Sequence, residues 1–217
     1  MWRFVWQDEK NELSMAMNRF FYIFVTKHKQ QPMIMKEIYV AGGCFWGTEH
    51  FFKQIDGVVE TEVGFANGIT ENPTYKEVYT DTTQHAETVH IVYDSSKVDL
   101  EFLLNMFFKA IDPTSLNKQG EDVGTRYRTG VYYTSEDELP IIEKVFKEQQ
   151  ALYEKPLAVE VKPLKKFYKA EEYHQDYLDK NPDGYCHLPK ALFEFARQAK
   201  KKWIFMHIRW ARATAST

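Results

Sequence analysis

The chain has 217 residues, of which 44% are hydrophobic and 27% charged, and its formal net charge is −3. Such values suit one globular domain with extensions, and the charge gives no reason to expect nucleic acid or an anionic membrane as a partner. Only two cysteines occur, Cys44 and Cys186, too few for a secreted disulfide scaffold of this length. Two thiols far apart in sequence fit either transient redox chemistry in a reducing cytoplasm or no redox role at all.

Residues 1–34 differ in character from the rest of the chain. They are rich in Met, Phe and Lys without a clear period, and are expected to be an N-terminal extension outside the core. The apolar run Phe20-Phe21-Tyr22-Ile23-Phe24-Val25 is too short to span a bilayer. Asp8, Glu9 and Glu12 precede it, the wrong order of charges for a secretory signal. Met33 and Met35 stand directly before the first clear strand, and the natural chain is expected to begin at one of them.

Glu37–Ala41 reads as a strand, and Thr48–Ile55 as a helix. Between them lies Gly42-Gly43-Cys44-Phe45-Trp46-Gly47. Paired glycines let the backbone turn sharply and approach a ligand closely. Cys44 falls at the helix start, where free N–H groups and the helix dipole favour an anion. A thiol so placed is expected to have a lowered pKa and act as a nucleophile. Phe45 and Trp46 would wall an apolar pocket beside the sulfur. A buried structural cysteine in a tight turn is the alternative.

Residues 58–65 are predicted to be a strand, with Val59, Thr61, Val63 and Phe65 on one face and Glu60 and Glu62 on the other. Residues 66–85 are turn-rich and long enough to be functional. Residues 87–93 alternate as a strand. Glu87 shares parity with Val89, Ile91 and Tyr93, which aims its carboxyl at the core and would raise its pKa. If Glu87 lies just outside the strand, it is solvated instead.

Leu100, Leu103, Leu104, Phe107, Phe108 and Ile111 give the clearest helix, at 99–111, with Asp99 as N-cap and Pro113 as terminator. Residues 113–130 read as loop, and Val131–Tyr133 as strand. A helix comes next over roughly 136–153, with Leu139, Ile142, Phe146 and Leu152 as a partial stripe and Pro140 in or near its first turn. Residues 157–162 alternate as a strand. Residues 167–178 suit a helix or an irregular turn, and Asn181-Pro182-Asp183-Gly184 is a strong turn signal. Cys186 therefore lies just past a turn. His174 is either a base or, more commonly for such a residue, a hydrogen-bonded structural histidine. A last amphipathic helix is expected at 189–200 through Leu192, Phe195 and Ala199, then a tail over 201–217. No closely spaced Cys/His set, phosphate loop or dinucleotide fingerprint is present.

Six stretches together resemble the peptide methionine sulfoxide reductase A family. They are Gly42–Gly47, Asn72-Pro73-Thr74-Tyr75, His85-Ala86-Glu87, Gly124-Thr125-Arg126-Tyr127-Arg128, Tyr173-His174-Gln175 and Asn181–Cys186, in the family's order and at family-like spacing. The resemblance covers roughly residues 36–200 and implies a reductase domain over 35–200. It implies an α+β two-layer sandwich with a ferredoxin-like mixed-sheet core and an irregular C-terminal segment. The implied activity is reduction of methionine-S-sulfoxide in proteins, a repair of oxidative damage.

In the implied roles, Cys44 attacks the sulfoxide sulfur and Glu87 protonates its oxygen. Tyr75 and Tyr127 hold that oxygen. Phe45 and Trp46 receive the methyl group, Asp122 supports the site, and Cys186 resolves the resulting sulfenic acid as a disulfide. Thioredoxin would reduce that disulfide, with no metal or organic cofactor. A monomer is expected. The chain departs from the family pattern at Gln84, where a Gly is common, at Arg126, where many relatives have Gln, and at Phe65, where Tyr is common. From the residues alone, a two-cysteine thiol peroxidase and a non-enzymatic methionine-binding module remain open.

Overall fold

The computed structural model describes residues 33–199. The expectations for the first 32 residues and for the tail lie outside the described residues. The strands are β1 (Met35–Gly42), β2 (Val58–Ala66), β3 (Ala86–Asp94), β4 (Lys118–Gln119), β5 (Asp122–Val123), β6 (Thr129–Tyr133), β7 (Glu160–Pro163) and β8 (Phe167–Lys169). β4 and β5 pair as a small ribbon, and the other six form one sheet in the order β7-β6-β1-β3-β2-β8. Only β6 and β7 run parallel, so the sheet is mixed. Among the described residues, six α-helices accompany it: α1 (Phe45–Lys53), α2 (Tyr75–Tyr79), α3 (Leu100–Ala110), α4 (Leu139–Gln150), α5 (Tyr177–Lys180) and α6 (Lys190–Gln198).

The strand alternation separates two faces. Ile38 and Val40 of β1, and Glu87, Val89, Ile91 and Tyr93 of β3, are buried. The apolar members of that set join Phe51 and Phe52 of α1 and Phe107 of α3 in the main core. Burying one such side chain is worth roughly 1.5–3 kcal/mol. Tyr39, Ala41, Ala86 and Tyr132 form a smaller cluster, covered by Leu164 and Phe167. The helices thus make one layer and the sheet the other, which is the expected α+β two-layer fold.

α3 behaves as its stripe predicts. The Asp99 carboxylate accepts from the Phe102 N–H at 2.9 Å, capping the helix. Phe108 meets Phe146 of α4 edge-on at 5.1 Å. The predicted loop at 113–130 holds β4, β5 and a single 3-10 turn over Thr125–Tyr127.

Four local expectations fail for physical reasons. Val59 is 53% exposed because the β2–β3 register slips between Val58 and Glu60, a bulge that turns one residue outward. Leu152 is exposed because α4 ends at Gln150 and the chain enters a tight turn. Phe195 is also exposed; α6 turns Leu192, Phe193 and Ala196 inward instead. The stretch read as helix or turn at 167–178 begins as β8, which pairs with β2.

The loop between β2 and β3 is fastened by His85. Its Nδ1 accepts from the Gly68 N–H at 3.2 Å, and its Nε2 therefore donates to the Thr70 carbonyl at 3.0 Å. Gln84 precedes it with a φ of 55°. That left-handed conformation is the physical reason a glycine suits this position. The segment after β8 is fastened by Gln175. Its amide accepts from the Val63 N–H and donates to the Val63 and Ala170 carbonyls, each at 2.9 Å.

Candidate active site

The site is built on the β1–α1 junction. Gly43 has a φ of 85°, and a Cβ there would lie 2.6 Å from Gln119 Cβ. Only glycine turns the chain there without strain. The turn places Cys44 at the N-cap of α1, buried. Burial and the Glu87 charge push the Cys44 thiol well above its ordinary value, against the pull of the Trp46 and Gly47 N–H groups. This overturns the lowered pKa expected from the helix start: desolvation outweighs the dipole. At rest Cys44 is a thiol.

Glu87 is 1% exposed, as its parity on β3 requires. Its Oε2 accepts from the Phe45 N–H at 3.0 Å, while Oε1 is buried without a protein partner. Burial pushes its pKa up to about 8, against the Phe45 bond and the Arg126 charge. At neutral pH it holds a proton beside the thiol's own helix turn.

Two phenols complete the polar side. Thr74 caps α2 through a reciprocal bond with Glu77, which sets Tyr75 at the first helical position. Tyr127 comes from the 3-10 turn before β6. Burial, then the nearby Glu87, raises both phenols, so both remain donors. Arg126 was not foreseen as a site element. Its guanidinium lies 4.3 Å from the Tyr79 ring centroid and 4.4 Å from that of Tyr127, and it pairs with Asp81 at 3.1 Å. It fixes Tyr127 and places a cation near Glu87.

The apolar side is aromatic. Phe45 is buried, with Phe65 at 5.8 Å and Tyr75 at 6.4 Å between centroids. Phe65 is fully buried, where a phenol would need a partner. Trp46 stacks on Tyr177 at 3.8 Å and donates from Nε1 to His174 Nδ1 at 3.1 Å. His174 is 1% exposed, and burial lowers its pKa. It is therefore a neutral acceptor that orients Trp46, the structural role rather than a base.

The C-terminal segment closes the site. Tyr185 lies beside the Asp122 carboxylate, and burial raises its phenol. Cys186 is half-buried, and burial raises its thiol. A Cβ at Gly47 would sit 3.0 Å from Cys186 Sγ and 3.1 Å from His187 Nδ1, so this segment packs directly on the first turn of α1. Donor atoms of Cys44, Asp122 and His187 lie within 4.8 Å of one another. The sequence reading passed over His187; its position next to Cys186 was the available signal. Both cysteines are free.

A buried thiol beside a protonated carboxyl, two phenol donors, an aromatic pocket and a second thiol fit a thiol-dependent oxidoreductase. The family model for peptide methionine sulfoxide reductase matches residues 36–204, and the chain belongs to that family. It is similar to the peptide methionine sulfoxide reductase MsrA of Lachnoclostridium phytofermentans, 56% identical over 164 residues, covering 76% of this chain and 99% of the relative. The MsrA of Clostridium botulinum strain Okra is 58% identical over 154 residues, 71% of this chain and 98% of its own. Among solved structures, reduced Mxr1 from Saccharomyces cerevisiae superposes with a TM-score of 0.68 at 40% identity, covering 73% of this chain and 92% of that one. The methionine sulfoxide reductase A of Corynebacterium diphtheriae gives 0.64 at 40% identity, covering 72% and 79%. The protein is a peptide-methionine (S)-S-oxide reductase.

Proposed function

We propose that Cys44 is the nucleophile, Glu87 the acid and Cys186 the resolving thiol of this reductase. The observation that carries the reading is Glu87: buried, protonated near neutral pH, anchored by one oxygen and open at the other. A sulfoxide oxygen leaves poorly, so the reaction needs a proton at that oxygen. Methionine-S-sulfoxide, in a protein or a peptide, lays its methyl group against Phe45 and Trp46. Its oxygen accepts from Tyr75, Tyr127 and the Glu87 carboxyl, while Asp122 supports the site beside Cys44.

The Cys44 sulfur attacks the sulfoxide sulfur as the Glu87 proton passes to the oxygen; the hydroxyl then moves to Cys44, breaking the methionine S–O bond and the new S–S bond and leaving the thioether. The thiol proton restores Glu87. The products are methionine and Cys44 sulfenic acid, the first and reversible oxidation state of a thiol. Cys186 then condenses with it, forming the disulfide and releasing water. A thioredoxin dithiol exchanges with that disulfide and returns both thiols. The steps balance without a metal or an organic cofactor.

The reading places the reductase domain at 35–200, acting as a monomer in the cytoplasm, a compartment that keeps such thiols reduced. No helix among the described residues is long and apolar enough to cross a membrane. The test is product analysis on separated sulfoxide epimers. Wild type should convert the S epimer alone, and Cys44→Ser neither. Turnover of hydrogen peroxide in preference to the sulfoxide would favour the thiol peroxidase reading instead.

A further inference from the structure

We propose that His187 carries a proton from the Cys186 thiol to the oxygen that leaves Cys44 when the disulfide closes. This inference rests on Cys186 being the resolving thiol.

Closing the disulfide makes an S–S bond and breaks the S–O bond of the sulfenic acid. The Cys186 thiol loses a proton, and the departing hydroxide takes one to become water. No electron donor beyond the two sulfurs is needed. Burial holds Cys186 in its protonated form at neutral pH, so the proton needs a receiver. Glu87 has already been reprotonated in the preceding step, and its Oε2 is bound to the Phe45 N–H.

His187 stands where such a receiver is needed. It is next to Cys186 in sequence, so one short segment brings both groups to the site. One of its ring nitrogens lies within 4.8 Å of Cys44 Sγ and of an Asp122 carboxylate oxygen. Cys186 Sγ and the imidazole face the same point above Gly47. Both ring nitrogens are buried without a side-chain partner, which is costly unless the ring serves a purpose there. Burial keeps the imidazole neutral and able to accept, and Asp122 stabilises the imidazolium that forms. The Tyr185 phenol also lies beside Asp122, and burial with that carboxylate keeps it protonated, so it does not take the proton.

The experiment uses full-length His187→Gln in rapid-quench single turnover, with a methionine-S-sulfoxide peptide as probe. Methionine should appear at the wild-type rate. Cys44–Cys186 disulfide formation should slow by roughly 10²-fold, the usual scale for a lost acid–base group. Sulfenic acid should accumulate, seen by dimedone capture at Cys44, and free imidazole should restore part of the rate. Disulfide formation at the wild-type rate would overturn the proposal. So would equal slowing of both steps, or slowing that imidazole does not relieve, since either points to packing. Cys186→Ser tests the underlying assignment by itself: it should stop after one equivalent, whatever His187 does.

Discussion

The backbone N–H of Phe45 donates to Glu87 Oε2 at 3.0 Å, tying the residue after Cys44 to a carboxyl 42 positions away in sequence. The bond fixes one carboxyl oxygen against the first turn of α1 and leaves Oε1 buried without a hydrogen-bond partner. In the proposed mechanism, one hydrogen bond therefore holds the acid against the nucleophile's own turn.

Glu87→Gln keeps the volume and the hydrogen-bonding shape but cannot pass a proton. The sulfoxide-reducing step should fall by about 10²–10⁴. That is roughly 3–5 kcal/mol of barrier. Disulfide closure and its reduction should change little. Single-turnover methionine release measures the first, and thiol loss after peroxide-generated sulfenate the second. A wild-type reductase step would mean that another group supplies the proton.

The same residue sets a stability profile. The Glu87 pKa rises from 4.5 to about 8 on folding, chiefly by burial. The folded state thus keeps a proton that the unfolded chain releases. Stability from this group is full below pH 4.5 and is lost as pH rises through about 8. Relative to Glu87→Gln, wild type should lose on the order of 3 kcal/mol between acidic and neutral pH. Urea unfolding of both proteins across that range gives the difference, and parallel curves would show that Glu87 is ionised when folded.

Cys44→Ser should lose turnover with the fold intact, because a serine hydroxyl at neutral pH is a far weaker nucleophile than a thiolate. Cys186→Ser should release about one equivalent of methionine per protein, then halt with one added oxygen on the Cys44 peptide. Undiminished thioredoxin-coupled cycling by Cys186→Ser would remove that residue from the mechanism.

Gln84 adopts a φ of 55° with an exposed side chain. Gln84→Gly should therefore relieve backbone strain at no cost in packing. A gain of about 0.5–1 kcal/mol is expected, reduced by the greater freedom of glycine when unfolded. Thermal unfolding should show a rise of a few degrees with kinetics unchanged. A lower midpoint would mean that the Gln84 side chain contributes contacts of its own.

β1, β2, β3 and β6, α3 and the β1–α1 turn were legible because each has a local pattern: alternation, a stripe, paired glycines. Glu87 was legible for the same reason, since parity fixes a face. What failed depended on more than one segment. The Val59 bulge arises from pairing with β3, and the inward face of α6 from what it packs against. The Cys44 thiol was misjudged because a sequence shows the helix start but not the burial around it. Arg126 looked like a departure from pattern, and only the stacked rings of Tyr79 and Tyr127 explain it. His187 had only its place next to Cys186 as a signal; its meaning lies in the fold bringing residue 187 to residue 44.

At one edge of the sheet, β8 pairs with only three residues of β2 before the chain turns away. Past that point the Gln175 side chain takes both the N–H and the carbonyl of Val63, as a neighbouring strand would. An open edge there would template a foreign strand. The clients of this enzyme are oxidised chains. With the main-chain groups of Val63 already taken by Gln175, that point of the β2 edge offers such a chain no backbone partner.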